Sequence, residues 1–189
     1  MARLAVAALL AAGSVYAQDR PLQYSLTRVL AGLTTPTNEV TTTIHRDGDM
    51  VSVEKVKKTS HTRELLDFGK QVRYLWDPDG PAGRCTVIRP IGDWEDDPFT
   101  SPKCLLCGVA RKIHGAVTET IAGIEAKLMS LSTPDLHETF WTDPRSGLIL
   151  KWALYGAEPL FRLESKQFST DKPAESVFAL PAACLAAGR

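Results

Sequence analysis

Short runs in which apolar and polar residues alternate dominate the chain and predict β-strands. Residues 40–46 alternate in this way and are rich in threonine and valine, as strands prefer. Asp47-Gly48 follows, a strong signal for a two-residue type I′ turn. A turn at these two residues places Ile44 opposite Val51 on the returning strand. We therefore predict a hairpin with one mostly apolar face, as in a sheet covered on one side.

A second hairpin is predicted in the C-terminal half. His137–Thr142 leads into the turn sequence Asp143–Gly147, and an apolar strand follows over Leu148–Tyr155. Proline suits the second position of a turn, and glycine suits a position with positive φ. One face of the returning strand is predicted to carry Leu148, Leu150, Trp152 and Leu154.

The remaining pattern predicts a β-rich chain with little helix. Further strands are predicted at 23–31, 61–67, 71–76, 85–89, 116–120, 125–132, 160–168 and 176–180. A long loop with prolines, acids and Trp94 covers about 90–103, and residues 103–113 could form a short helix or none. Many short strands with tight turns favour a mainly β fold, a strongly curved antiparallel sheet or open barrel with few short helices.

The N-terminus has the pattern of a secretory signal peptide over Met1–Ala17. Arg3 supplies the positive charge and Leu4–Ala12 the apolar stretch, and Val15-Tyr16-Ala17 has small residues at the two positions that a signal peptidase reads. The apolar stretch is too short for the ~20 residues that span a bilayer. The sequence predicts a single β-rich domain over 18–189, without a transmembrane segment after signal cleavage, in the periplasm or secreted.

Charge and motifs narrow the function classes. The chain has 22 basic and 22 acidic residues, so nothing favours a nucleic-acid partner. Nucleophile-elbow, P-loop and dinucleotide-binding patterns are absent, as is paired-histidine metal spacing. We therefore predict no catalytic residues, no cofactor and no metal.

Four cysteines, Cys85, Cys104, Cys107 and Cys184, lie after the signal peptide. An even number in an exported chain favours two disulfides, and spacing leaves all three pairings open. Cys104 and Cys107 form a C-x-x-C motif, which also allows thiol–disulfide exchange. Zinc bound by Cys85, Cys104, Cys107 and His114 is a third possibility.

Large aromatic residues lie on predicted strands, where packing in a sheet is their usual role. Some of them could instead line a concave apolar cavity for a lipid-like ligand. The candidates for ligand contact are Trp76, Trp141, Trp152, Leu148 and Leu150.

Motifs between about 115 and 181 resemble a known family. They are Ile121–Ala126, a W-x-D-x-x-S-G-L-x-x-K hairpin from Trp141 to Lys151, and the F-x-L-P sequence that ends at Pro181. These features resemble exported bacterial proteins similar to the outer-membrane lipoprotein carriers LolA and LolB, and related envelope families. The resemblance implies a half-barrel sheet whose apolar concave face, in the carriers, holds acyl chains. This chain differs in lacking long helices and in having four cysteines and an acidic loop.

Three functional hypotheses follow. The first is a non-enzymatic envelope protein that binds a hydrophobic ligand, a lipid or a lipidated protein on a concave sheet. The second is a thiol–disulfide redox protein that uses Cys104 and Cys107. The third is a structural or interaction module without a ligand.

Overall fold

The computed structural model describes residues 20–32, 39–81, 84–109 and 111–187, without the side chains of 111–116. The predicted signal peptide lies outside these residues. The strands are β1 (Gln23–Gly32), β2 (Val40–Asp47), β3 (Met50–Lys57), β4 (Ser60–Asp67), β5 (Val72–Trp76), β6 (Thr86–Ile88), β7 (Arg111–Ile121), β8 (Ile124–Ser132), β9 (His137–Thr142), β10 (Ile149–Tyr155) and β11 (Pro159–Ser169). A 3-10 helix (Glu175–Phe178) and a short helix α1 (Ala182–Ala187) follow.

Within the described residues, these strands form one antiparallel sheet in the order β6-β5-β4-β3-β2-β1-β11-β10-β9-β8-β7. The sheet is curved and not closed, and helices are few, which confirms the predicted fold class. Most neighbours in the sheet are joined by short connections, but β1 pairs with β11 at the centre. This pairing joins the two halves of the chain.

The order of the strands explains the long loop. Strands β6 and β7 lie at opposite edges of the sheet, so the chain between them must cross its whole width. We call residues 89–109 the crossing segment. It extends beyond the predicted loop and contains turns but no helix, and β7 begins at Arg111.

The crossing segment packs on one face of the sheet, which we call the inner face. Ile91 and Phe99 of the segment are buried there against Tyr24, Leu26 and other core residues. Leu106 is buried in a second inner cluster that includes Phe140 and Trp152. The apolar residues of the acidic loop therefore form part of the core, whereas Asp93 and Glu95 are exposed.

The opposite, outer face is covered near β4 and β5 by the C-terminal residues. Leu65, Trp76 and Cys184 are buried together, and Phe178 packs against them. The predicted strand at 176–180 is wrong, because this segment packs side chains on the face of the sheet and pairs with neither edge. The backbone carbonyl of Val177 instead accepts a hydrogen bond of 3.2 Å from Arg63 Nη2.

The two predicted hairpins are present, with one correction of register. Asp47 pairs with Met50, and Ile44 faces Val53 and not Val51. The turn residues are therefore Gly48 and Asp49, and Gly48 has a φ of 59°. Because the shift is two residues, each side chain keeps its predicted face. A positive φ at the first turn position alone is typical of a type II′ turn and favours glycine there.

Candidate functional site

A cavity of about 420 Å³ lies on the inner face, beside the crossing segment. Its floor is apolar and comes from β1, β10 and β11. Its opposite wall belongs to the crossing segment, and its rim is basic. The lining residues are Leu30, Val40, Thr42, Trp152, Phe161, Leu163, Ser101, Pro102, Leu105, Asp96, Arg28, Lys55 and Lys57.

Aromatic packing shapes the floor. Trp152 on β10 and Phe161 on β11 stack with ring centroids 6.4 Å apart and an interplanar angle of 15°. Trp152 is 6% exposed and Leu163, which faces it, is also 6% exposed, whereas Phe161 is 46% exposed. The floor therefore combines a rigid buried base with an aromatic ring that is open to solvent.

A buried arginine and an aspartate connect the sheet to the crossing segment at the rim. Arg28 Nη2 donates to the backbone carbonyl of Asp96 at 2.9 Å, and Lys55 Nζ lies 2.6 Å from Asp96 Oδ2. Burial lowers the pKa of Arg28, and the nearby Asp96 carboxylate partly offsets that shift. Lys55 Nζ also lies 4.0 Å from Glu64 Oε1, so the exposed Lys57 is the rim cation without an ion-pair partner among the described residues.

A fully buried carboxylate anchors the other end of the wall. Glu138 on β9 has an exposure of 0%. Its Oε2 accepts the Leu106 amide at 2.9 Å, and its Oε1 accepts the Leu105 amide at 3.2 Å and Trp152 Nε1 at 2.8 Å. A buried carboxylate needs hydrogen-bond donors to offset the loss of its hydration, and hydrogen bonds to a charged group are stronger than those between neutral groups. Glu138 therefore ties the wall of the cavity to the residue that forms its floor.

All four cysteines are in disulfides. Cys85 of the chain before β6 pairs with Cys184 of α1, and Cys104 pairs with Cys107 in the crossing segment. The first joins the C-terminal helix to the sheet edge on the outer face. The second encloses Leu105 and Leu106, the residues that Glu138 holds. In the described part of the chain, no group of three or more His, Cys, Asp or Glu could hold a metal ion.

The structure places only one of the five predicted ligand-contact residues at the cavity, Trp152. Leu148 and Leu150 are fully buried in the first inner cluster. Trp141 packs against that cluster, with Lys151 Nζ 4.5 Å from its ring centroid. Trp76 lies on the outer face beside Cys184.

Sequence reasoning missed the other cavity residues. Leu30 and Phe161 lie far apart in the chain, and only the pairing of β1 with β11 brings them together. Their alternation on predicted strands was a usable signal, but it does not say which strands are neighbours. Lys55 and Lys57 looked like ordinary exposed strand residues.

Two serine–histidine contacts lie among the described residues, Ser25 with His45 and the exposed pair Ser132 with His137. Ser25 Oγ lies 2.8 Å from His45 Nδ1 across β1 and β2. Burial lowers the pKa of His45. Within the described residues, no carboxylate hydrogen-bonds to His45 to orient it, so the pair lacks the third member of a catalytic triad.

No protein-family model matches the sequence, and no curated protein matches it. Solved structures do match. MucB in complex with MucA(peri) has 19% identity and a TM-score of 0.52, with 86% of this chain aligned to 55% of that chain. MucB alone has 16% identity and a TM-score of 0.52, with coverage of 88% and 60%. A LolA superfamily protein from Nitrosomonas europaea has 9% identity and a TM-score of 0.34, with coverage of 87% and 92%.

The solved structures that match include a protein of the LolA superfamily, which the sequence motifs resemble. At such identities the likeness to MucB is one of fold. The chain matches a little over half the length of the MucB chains. None of the described helices has the length and apolar character needed to cross a membrane.

Proposed function

We propose that this protein is a non-enzymatic exported binding protein whose inner-face cavity takes the apolar chain of an amphipathic molecule or of a lipidated partner. The single observation that carries the proposal is the cavity itself. Its volume of about 420 Å³ lies within the ~300–1,000 Å³ typical of small-molecule sites. An apolar floor with a few polar groups at one end is also typical of such sites.

The basic residues at the rim of the cavity predict which head group of an amphipathic ligand is preferred. An apolar chain on Trp152 and Phe161 would place its head near Lys55 and Lys57. A carboxylate or phosphate there would pair with Lys57, which has no ion-pair partner among the described residues, whereas an ammonium head would be repelled by it. We therefore expect acidic amphiphiles to bind more tightly than basic ones of equal chain length.

Export is part of the same proposal. The predicted signal peptide Met1–Ala17 and a mature domain that begins at Gln18 support it. Two disulfides fit an oxidising compartment, since disulfides are rare in cytosolic proteins. The periplasm or the medium is thus the expected location.

A protein partner is the second candidate. MucB, which shares the fold, has been solved in complex with MucA(peri). A lipid-free polypeptide could use the same inner face. Competition between a partner and a fatty-acid probe would separate these two forms of the proposal.

The test is titration of a fluorescent fatty-acid probe onto the purified mature protein. Phe161→Asp places a charge on the floor at a site that is 46% exposed, and circular dichroism of the variant checks that it is folded. Loss of roughly 1.5–3 kcal/mol of apolar burial corresponds to about 10–100-fold weaker binding. Val117→Asp, at an exposed position outside the cavity with 57% exposure, is the matched control.

Saturable binding that Phe161→Asp weakens and Val117→Asp leaves unchanged supports the proposal. Absence of saturable binding to the wild type, or equal effects of both substitutions, would refute it. Lys57→Glu further tests the acidic preference, because it should weaken a carboxylate probe more than an alcohol probe.

A further inference from the structure

We propose that the Cys104–Cys107 disulfide is a redox-controlled brace of the cavity wall, and that Glu138 sets how readily a dithiol can open it. This inference rests on the proposed function and concerns the regulation of the same cavity. It begins with the position of the disulfide between the wall and its anchor.

The two residues enclosed by the disulfide have different tasks. Leu105 is 60% exposed and lines the cavity, whereas Leu106 is 4% exposed and packs in the inner cluster. Both of their amides donate to Glu138. The disulfide closes a tight ring around this turn, so it limits the conformations in which Leu105 can leave the wall.

The two sulfur atoms are not equivalent toward a nucleophile. Cys107 is an exposed residue, whereas Cys104 is half-buried with its Sγ 3.5 Å from Glu138 Oε2. The thiolate of a dithiol reductant would therefore attack Cys107 Sγ. The S–S bond breaks, a mixed disulfide forms at Cys107, and Cys104 leaves as a thiolate that takes a proton from water.

The second thiol of the reductant completes the exchange. As a thiolate it attacks the mixed disulfide, forms the reductant's own disulfide and releases Cys107, which is protonated in turn. Two electrons and two protons pass from the dithiol to the cysteine pair. The reductant is thus a dithiol protein or small dithiol, and no other co-reactant is required.

Glu138 opposes the first of these steps. Negative charge develops on Cys104 Sγ as it leaves, and a buried carboxylate lies beside that atom. Like charges at this distance repel strongly where water is excluded. A catalytic C-x-x-C motif stabilises its thiolate, whereas Glu138 destabilises that of Cys104. This arrangement therefore favours a structural disulfide that resists reduction over a redox enzyme. Glu138 is a positioning residue that acts through the disulfide.

Reduction should loosen the wall. Removing the ring constraint gives the turn more conformations, and Leu105 would spend less time against the ligand. The reduced protein should then bind the probe more weakly. The disulfide between Cys85 and Cys184 lies on the outer face and provides a matched control.

The first experiment compares the wild type with the double variant Cys104→Ala, Cys107→Ala and the control Cys85→Ala, Cys184→Ala. We expect roughly tenfold faster amide hydrogen exchange at Leu105 and Leu106 in the first variant, and at least fivefold weaker binding of the fatty-acid probe. The control loses more global stability, so all three proteins are compared at a temperature well below the lowest Tm, after subtraction of the global unfolding rate given by the slowest core amides. Under those conditions the control should leave both quantities within about twofold of the wild type. Unchanged exchange and unchanged affinity in the first variant would overturn the brace.

The exchange measurement needs no ligand. If the oxidised wild type fails to bind the probe, the proposed function fails, and control of a ligand site fails with it. Amide exchange still decides whether the disulfide braces the turn. If the probe binds but Cys104→Ala, Cys107→Ala changes nothing, only the inference on regulation fails.

The second experiment measures the rate at which dithiothreitol reduces each disulfide in Glu138→Gln. Loss of the charge should speed reduction of Cys104–Cys107 at least tenfold and leave Cys85–Cys184 unchanged. Glu138→Gln could speed reduction either by removing the negative charge or by loosening the turn that Glu138 holds. Amide exchange at Leu105 and Leu106 measures the loosening alone and so separates the two effects. An unchanged reduction rate, or an increase no larger than that in amide exchange, would overturn the role of Glu138.

Discussion

The two disulfides are expected to contribute very unequally to stability. Cys85 and Cys184 are separated by 99 positions, whereas Cys104 and Cys107 are separated by 3. In the chain-entropy model, a cross-link stabilises by restricting the unfolded chain, and its effect grows with loop length. The long loop corresponds to about 5 kcal/mol and the short one to about 2 kcal/mol.

Local packing adds to this difference. Cys184 is fully buried with Leu65 and Trp76, and its disulfide joins α1 to the chain beside the short edge strand β6. Without the disulfide, a helix of six residues must stay on the sheet through side-chain contacts alone. For a domain of this size, about 5 kcal/mol lowers the Tm by roughly 10–20 °C. The short disulfide should lower it by about 4–8 °C.

The assay is thermal and urea unfolding, followed by circular dichroism without reductant. The variants are Cys85→Ala with Cys184→Ala, and Cys104→Ala with Cys107→Ala. Leu185→Ala, at a 54% exposed position next to Cys184, is the control and should change stability by less than about 0.5 kcal/mol. Equal losses in the two double variants, or a larger loss for Cys104 and Cys107, would refute the loop-length argument.

Three shorter predictions follow from other contacts. Gly48→Ala should lower the free energy of unfolding in urea by about 1–2 kcal/mol, because the φ of 59° is strained for alanine. A steric clash is not the cause, since a Cβ at this position would meet no atom within 4 Å. Hydrogen bonding to Glu54, the largest cause, raises the pKa of His61 above its usual 6.5. The resulting stabilisation is complete below the unfolded pKa and disappears as pH rises through the folded pKa, so His61→Gln should lower the urea midpoint at pH 5.5 but not at pH 8.5. Trp152→Phe removes one donor to the buried Glu138 and should cost about 1–3 kcal/mol by the same measurement, whereas an unchanged midpoint would contradict the anchoring role of that carboxylate.

Much of the fold could be predicted from local pattern. Alternation of apolar and polar residues identified β1 and the two hairpins, and glycine marked turns at Gly48 and Gly147, both of which have positive φ. The register of the first hairpin was wrong by two residues, because Asp47-Gly48 and Gly48-Asp49 are both acceptable turns. The 3-10 helix at 175–178 was missed because its apolar residues also fit a strand.

The candidate site was predicted far less well. Trp152 was found because large aromatics on strands are visible in any sequence, but Glu138 resembled an ordinary polar strand residue. Its importance depends on three donors from two distant segments. Pairing of cysteines was equally open, since spacing alone allows three arrangements.

The sequence by itself determined the predicted export signal, the β-rich class, most strands and the predicted oxidation of four cysteines, because these depend on local composition and on a two-residue period. Only the tertiary structure decided that β1 joins β11 and that residues 89–109 cross the inner face. Both features depend on contacts between residues that are distant in the chain. A local sequence pattern contains no information on the entropy cost of closing such loops or on how the distant residues pack. The cavity forms where these long-range choices meet, between the sheet and a segment held by Arg28 and Glu138.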